Sequence, residues 1–147
     1  MPMTWAAAKA ELVTILAGIS ITSPIAQTIA KVYPDPPGAV QDLPCVIVYP
    51  PSLDVQRIAG TRYKIYRSRL LLLVRDEDLD QAAAIVDAYR ESLVDAFDSN
   101  VRLNGAAQRI DGPAVEPAAA FKYGLVDYTG FGAVLTVHLQ DAVAFSA

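Results

Sequence analysis

Two stretches of the chain repeat apolar residues at helical spacing. The first follows Thr4, a residue type that caps helix N-termini, and its apolar positions recur three and four residues apart from Trp5 to Ile19. The second occupies residues 78–97 and has the same spacing. The pattern predicts two amphipathic helices, and the second should cover one face of a sheet. The residues expected to be buried beneath the second helix are Leu79, Val86, Leu93 and Phe97.

Three further stretches have the pattern of β-strands. Residues 45–49 are apolar without interruption and lie between prolines, which is typical of a strand covered on both faces. Residues 61–74 have a basic and aromatic first half and an aliphatic second half, which predicts a long strand whose start projects beyond the core. Residues 131–139 show the clearest alternation of strand type, with every second side chain apolar.

The remaining segments give weaker signals. Residues 25–33 have the β-branched content of another strand. Asn104-Gly105 is the dipeptide preferred in type I′ turns, so a hairpin is expected between residues 101–103 and 108–110. Three segments are expected to be loops, and they are 34–44, 50–61 and 116–130.

The order helix, strands, helix, strands predicts one α+β domain over residues 1–147, with a mainly antiparallel sheet and two principal helices packed against it. The hydrophobic content of 53% is sufficient for a core without disulfides or a structural metal. The longest dense apolar run, residues 70–74, is too short to span a membrane, and the N-terminus lacks the basic region of a signal peptide. A net charge of −4 argues against bulk nucleic-acid binding.

The chain offers little of the chemistry of an enzyme. The acids of residues 76–80 resemble the start of a calcium loop, but Gln81 replaces the glycine that must turn such a loop, which favours acids at a helix N-terminus. His138 is the single histidine and Cys45 the single cysteine, so a Cys–His dyad would require the fold to bring these two together. We predict no catalytic residue, no cofactor and no metal site, and we read His138 as a partly buried structural residue.

Charge is strongly segregated along the sequence. Six of the 12 Lys and Arg residues fall between positions 57 and 75 with no acid among them, whereas eight of the 16 acids fall between 76 and 98. The two segments could carry ordinary solvated surfaces, paired with each other inside one chain. Alternatively, a basic surface on one copy could meet an acidic surface on the next. Tyrosines within the basic strand favour an interface, and although they could also stack on bases, the acidic total argues against that. The candidate interface residues are Arg57, Arg62, Tyr63, Lys64, Tyr66, Arg67 and Arg69.

The succession of these elements resembles the small neck or tail-completion proteins of tailed bacteriophages, and tail terminators most closely. The segments that carry the resemblance are the N-terminal helix, Lys31-Val32-Tyr33-Pro34, Leu43 to Pro50, the Tyr/Arg strand, Arg75-Asp76-Glu77-Asp78 and Gly124 to Phe131.

The resemblance implies an α+β subunit of the virion, assembled in the host cytoplasm as a hexameric ring. Such a ring caps the tail tube, stops its polymerisation and offers a surface to the head connector or stopper protein, with DNA passing through its lumen. A head-closure or connector-adaptor protein of the same neck is the alternative. A ligand-binding or enzymatic α+β domain is a more distant one, and a concave pocket lined with perturbed titratable groups would favour it.

Overall fold

The computed structural model describes residues 3–75 and 79–142, which form an α+β fold built on a mostly antiparallel sheet. The described residues contain helices α1 (Trp5–Ala17) and α2 (Leu79–Asp98), a 3-10 turn (Leu103–Gly105) and strands β1 (Ser20–Ile21), β2 (Gln27–Thr28), β3 (Lys31–Tyr33), β4 (Cys45–Val48), β5 (Ser52–Ile58), β6 (Thr61–Arg75), β7 (Arg109–Val115), β8 (Ala119–Tyr123) and β9 (Val126–Ala142). The predicted fold class is confirmed.

The sheet is built around two long antiparallel strands, β6 and β9, which pair from Thr61–Ala142 to Arg75–Thr129. Strands β4 and β5 follow one another along the outer side of β6, and β3 adds parallel to β4. Strands β7 and β8 follow one another along the outer side of β9. The sheet therefore has two unlike lateral edges, which we call the β5 edge (β3, β4 and β5) and the β8 edge (β7 and β8). Strands β1 and β2 form a separate ribbon.

The two helices cover one face of this sheet and enclose the main core. Helix α1 is capped by Thr4, whose Oγ1 accepts a hydrogen bond from the Ala7 backbone N–H at 3.2 Å, as its sequence predicts. Alternate residues of β6 and β9 point into the core. The core residues of α2 and β9 include Val86, Leu93, Phe97, Phe131, Ala133, Leu135, Val137 and Leu139. The predicted burial is thus confirmed for α2 and β9, except that the side chain of Leu79 lies outside the described residues.

The other face of the sheet divides into two parts. Next to β4, a second apolar cluster is covered by the segment between β3 and β4, residues 34–44, which we call the proline-rich connector. The connector contributes Val40 and Leu43, and its Pro37 carbonyl accepts a hydrogen bond from Tyr123 Oη of β8. The cluster itself consists of Cys45, Ile47, Leu71, Leu73 and Tyr128. Beyond the connector lies a polar surface made by β5, the first half of β6, β7 and the second half of β9, which we call the open face.

Three local expectations are wrong. Residues 25–33 form two short strands, β2 and β3, that belong to different sheets. The expected loops 50–61 and 116–130 instead contain β5 in the first case, and β8 with the start of β9 in the second.

The expected hairpin at Asn104-Gly105 is also wrong. Leu103, Asn104 and Gly105 all have positive φ, at 47°, 54° and 87°, so the turn forms locally. However, the Leu103 side chain is fully buried in the core, and residues 101–103 do not form the first strand of the expected hairpin. The acidic segment expected to begin the second helix, residues 76–78, lies outside the described residues.

Candidate subunit interface

The β5–β6 hairpin, residues 52–67, carries an outer strand that is exposed along its whole length, and we call this hairpin the arm. All seven residues of β5 are exposed to solvent. Strand β5 pairs with β6 on one side, and within residues 3–75 and 79–142 no strand pairs with its outer side. An edge strand of this kind presents unpaired backbone N–H and C=O groups that another chain can bind.

The arm also exposes apolar side chains. Leu53, Val55 and Ile58 are 48%, 40% and 59% exposed, although apolar residues of this size usually contribute to a core. No proline lies within β5 to block strand pairing. The arm thus combines a strand edge that no other described strand pairs with and exposed apolar side chains. Both features are typical of a protein-binding surface.

The structure does not bring the seven candidate interface residues onto one surface. Because successive side chains of a strand point to opposite faces, β6 divides them by parity. Tyr63, Arg67 and Arg69 belong to the open face, whereas Arg57, Arg62, Lys64 and Tyr66 belong to the side that carries the helices.

Two residues on the helix side hold the start of α1 against the arm. The ring of Tyr66 stacks on that of Trp5, with 5.1 Å between centroids and 17° between planes. Lys64 Nζ donates a hydrogen bond to the Met3 carbonyl at 3.1 Å. These contacts give Lys64 and Tyr66 a role within the subunit that their sequence pattern did not indicate.

On the open face, two arginines pair with acids from neighbouring segments. Arg67 forms an ion pair with Asp54 of β5, and Arg69 Nη2 lies 3.5 Å from Glu116 Oε1 just after β7. Both arginine side chains remain about half exposed, at 48% and 50%, so each can still contact another molecule. The described acids of α2 belong to a helix that packs on the opposite face of the sheet. None of these acids forms the ion pair with Arg67 or Arg69 that the charge pattern suggested.

Gly132 makes room for the second of these pairs. A Cβ atom at this position would lie 2.4 Å from Glu116 Oε1 and 2.9 Å from Arg69 Nη2. The absence of a side chain therefore lets the two charged groups meet above β9. Neither Glu116 nor Gly132 was singled out from the sequence, because their proximity to Arg69 depends on the pairing of three separate strands.

Cys45 and His138 are far apart. Cys45 pairs with Leu73 and His138 pairs with Ile65, so eight residues of β6 separate them, which is about 26 Å along a strand. His138 is partly buried, as expected, and its Nε2 lies 2.6 Å from Asp111 Oδ2. Burial raises the pKa of the Cys45 thiol from 9.0 to about 12, which opposes formation of the nucleophilic thiolate. The two residues therefore do not form a catalytic dyad.

A surface groove with a volume of about 590 Å³ lies between α2 and Val115. Arg90, the one arginine that lines this groove, donates a hydrogen bond from Nε to the Glu116 carbonyl at 3.1 Å. Its Nη1 lies 3.4 Å from Asp87 Oδ1, so Arg90 links the helix to the sheet.

Among the described residues, no three His, Cys, Asp or Glu side chains are grouped to hold a metal ion. No helix in the described part of the chain is long and apolar enough to cross a membrane.

Comparison of the chain with protein-family models finds no match, and a search of curated proteins also finds none.

Proposed function

We propose that this protein is a structural subunit of the neck of a tailed bacteriophage, and specifically a tail terminator. In this role it assembles as a ring, hexameric in the family it resembles, that caps the tail tube and joins it to the head connector. The sequence resemblance supplies the biological setting. The α+β fold and the exposed arm are compatible with it.

The exposed arm is the observation that carries the proposal. A subunit that binds its neighbours must keep apolar surface uncovered until it assembles. The arm exposes Leu53 and Val55 on its helix side and Ile58 on its open face, along a strand edge that has no partner strand among the described residues.

The two lateral edges of the sheet support a ring. The β5 edge and the β8 edge differ in strands, side chains and exposure, so a contact between them is heterologous. Heterologous contacts close into rings when the rotation between subunits allows it. Arg67 and Arg69, half exposed on the open face, are proposed to contact either the neighbouring subunit or the tail tube.

The proposal is tested by the mass of the purified protein in solution, measured by light scattering, together with negative-stain images of the same sample. We expect a ring, and we expect added protein to bind tail tubes and halt their growth in a reconstitution assay. A protein that stays monomeric and leaves tube growth unchanged would refute the proposal. A ring that binds the head connector but leaves tube growth unchanged would instead identify a head-closure or adaptor protein.

A further inference from the structure

A concave site lies on the open face between the arm and β7, and we call it the open-face pocket. Its volume of about 480 Å³ is within the range of about 300–1,000 Å³ that small-molecule sites span. Strand pairing builds the site. On the arm, Gln56 lies opposite Tyr63. In the adjacent row, Ile65, His138 and Arg109 lie opposite one another on β6, β9 and β7.

The pocket brings together polar side chains that have no partner inside the subunit. Four of them line it, and they are Gln56, Tyr63, Gln108 and Arg109. None of these four side chains makes a hydrogen bond within residues 3–75 and 79–142. The two amides, the phenol and the guanidinium all carry donor groups, so the pocket offers several hydrogen-bond donors to a molecule that enters it.

The charges around the pocket favour an anion. Arg109 is 61% exposed, and no acid among the described residues lines the pocket. Asp111 lies beside it with Oδ2 2.6 Å from His138 Nε2, while its Oδ1 is 3.7 Å from Arg109 Nε, too far for a hydrogen bond. Asp54, the acid of β5 on this face, is paired with Arg67. The guanidinium of Arg109 therefore stays available to a carboxylate or phosphate, which its planar fork can bind through two hydrogen bonds.

The middle of the pocket is apolar. Ile65 of β6 is 9% exposed there, next to the ring of Tyr63, and Ile58 is exposed at the arm side of the pocket. A bare ion would leave this apolar area in contact with water, whereas a ligand with an apolar body would cover it.

We propose that the open-face pocket binds a small organic anion. The carboxylate or phosphate of the ligand contacts Arg109 and Gln108 at the β7 side, and its apolar body lies on Ile65 and Tyr63. The amide of Gln56 bounds the opposite end. The site is complete within one subunit, so this proposal does not depend on the proposed ring.

Titration of the full-length protein with small probes, followed by saturation-transfer NMR, tests the proposal. Benzoate and phenyl phosphate carry both an anion and an apolar ring, benzamide lacks the charge, and acetate and inorganic phosphate lack the ring. We expect benzoate or phenyl phosphate to bind more tightly than the other three, and the tighter of the two identifies the anion. Equal binding of benzamide, equal binding of the two bare anions, or no binding of any probe would overturn the proposal.

Variants locate the binding site. Arg109→Gln should weaken binding of the tighter probe about tenfold or more, because a charge-assisted hydrogen bond is lost. Asp111→Asn should strengthen it, since the negative charge beside the guanidinium is removed while an acceptor for His138 remains. Lys122→Gln, at an exposed position of β8 outside the pocket, is the matched control and should leave the Kd unchanged.

Circular dichroism verifies that the three variants keep the fold. An Arg109→Gln protein that binds the probe as well as Lys122→Gln does, or an Asp111→Asn protein that binds it more weakly than the wild type, would overturn the proposal. The titration reports on each subunit whether or not it assembles, so failure here leaves the proposed ring to be judged by its own test.

Discussion

At the scale of single residues, Gly130 determines how closely the two central strands approach. A Cβ atom at this position would lie 1.9 Å from the Leu72 carbonyl oxygen, a backbone atom that cannot rotate away. We therefore expect Gly130→Ala to destabilise the protein by about 3 kcal/mol, the upper part of the range for overpacked sites. Urea unfolding measures the change. Gly38→Ala is the control, because nothing lies within 4 Å of a Cβ there, and equal effects of the two variants would contradict this account.

Ala59 occupies a conformation that suits other residues better. It has φ 50° and precedes Gly60 at φ 81°, so the arm turns through two residues of positive φ, as in a type I′ turn. Asparagine tolerates this region better than alanine, so Ala59→Asn should raise the free energy of unfolding by about 0.5–1 kcal/mol. Ala59→Val should lower it, since β-branched residues tolerate positive φ poorly. Thermal unfolding of the two variants checks the opposite signs.

Cys45 should make the stability sensitive to alkaline pH. Burial raises its pKa from 9.0 to about 12 in the folded protein, so the folded state keeps a proton that the unfolded chain releases. This contribution to stability is complete below pH 9 and is lost as pH rises toward 12. The free energy of unfolding, measured by urea titration across this range, should fall less steeply in Cys45→Ala than in the wild type. Parallel profiles would contradict the assigned cause.

At the scale of elements, Phe97 tests the packing of α2. Its side chain is 1% exposed and lies in the main core with Val86 and Leu93, on the stripe that the spacing of apolar residues predicts. Phe97→Ala should lower the free energy of unfolding by about 3–5 kcal/mol. Glu91→Ala, at an exposed position of the same helix, should change it by less than about 0.5 kcal/mol. A loss below about 1 kcal/mol for Phe97→Ala would contradict its place in the core.

The elements that could be predicted are those with at least one buried side, and β4, whose residues are all buried, is predicted by its uninterrupted apolar run. Helices α1 and α2 and strands β6 and β9 bury residues at regular intervals, so apolar residues recur at those intervals in their sequences. Strand β5 has no buried residue, since all seven of its residues are exposed. Burial in a core therefore imposes no pattern of apolar positions on its sequence. Residues 52–56 nevertheless alternate polar and apolar side chains, a pattern typical of a strand that the expectation of a loop over 50–61 did not use. Strand β8 is half exposed, and burial likewise imposes no pattern of apolar positions on its sequence.

The candidate interface was predictable in its chemistry and not in its partners. The basic and aromatic character of residues 62–69 is evident in the sequence, and the alternation of the strand separates Arg67 and Arg69 from Tyr66. Their partners Asp54 and Glu116 come from segments that the sequence indicated to be loops. Strand register decides such pairs, and register is a property of the folded sheet.

At the scale of the whole molecule, the open face provides a test of assembly. Arg67 and Arg69 lie outside both cores and are half exposed, so replacing both by Glu should leave the fold intact, which circular dichroism can verify. The double variant should weaken ring formation or tail capping, because it places like charges against the acidic surface that the arginines are proposed to meet on a neighbour.

The pairs within the subunit require a matched control, because the double variant also places like charges beside Asp54 and Glu116. Adding Asp54→Arg and Glu116→Arg to that variant reverses both pairs and restores opposite charges inside the subunit. If the arginines contact a neighbour, this fourfold variant should still fail to assemble, since the sign of the surface at each position remains reversed. Light scattering and the tail-capping assay compare the three proteins. Recovery of normal assembly in the fourfold variant would show that Arg67 and Arg69 act only within their own chain, and the interface would then have to lie on the arm and the two lateral edges alone.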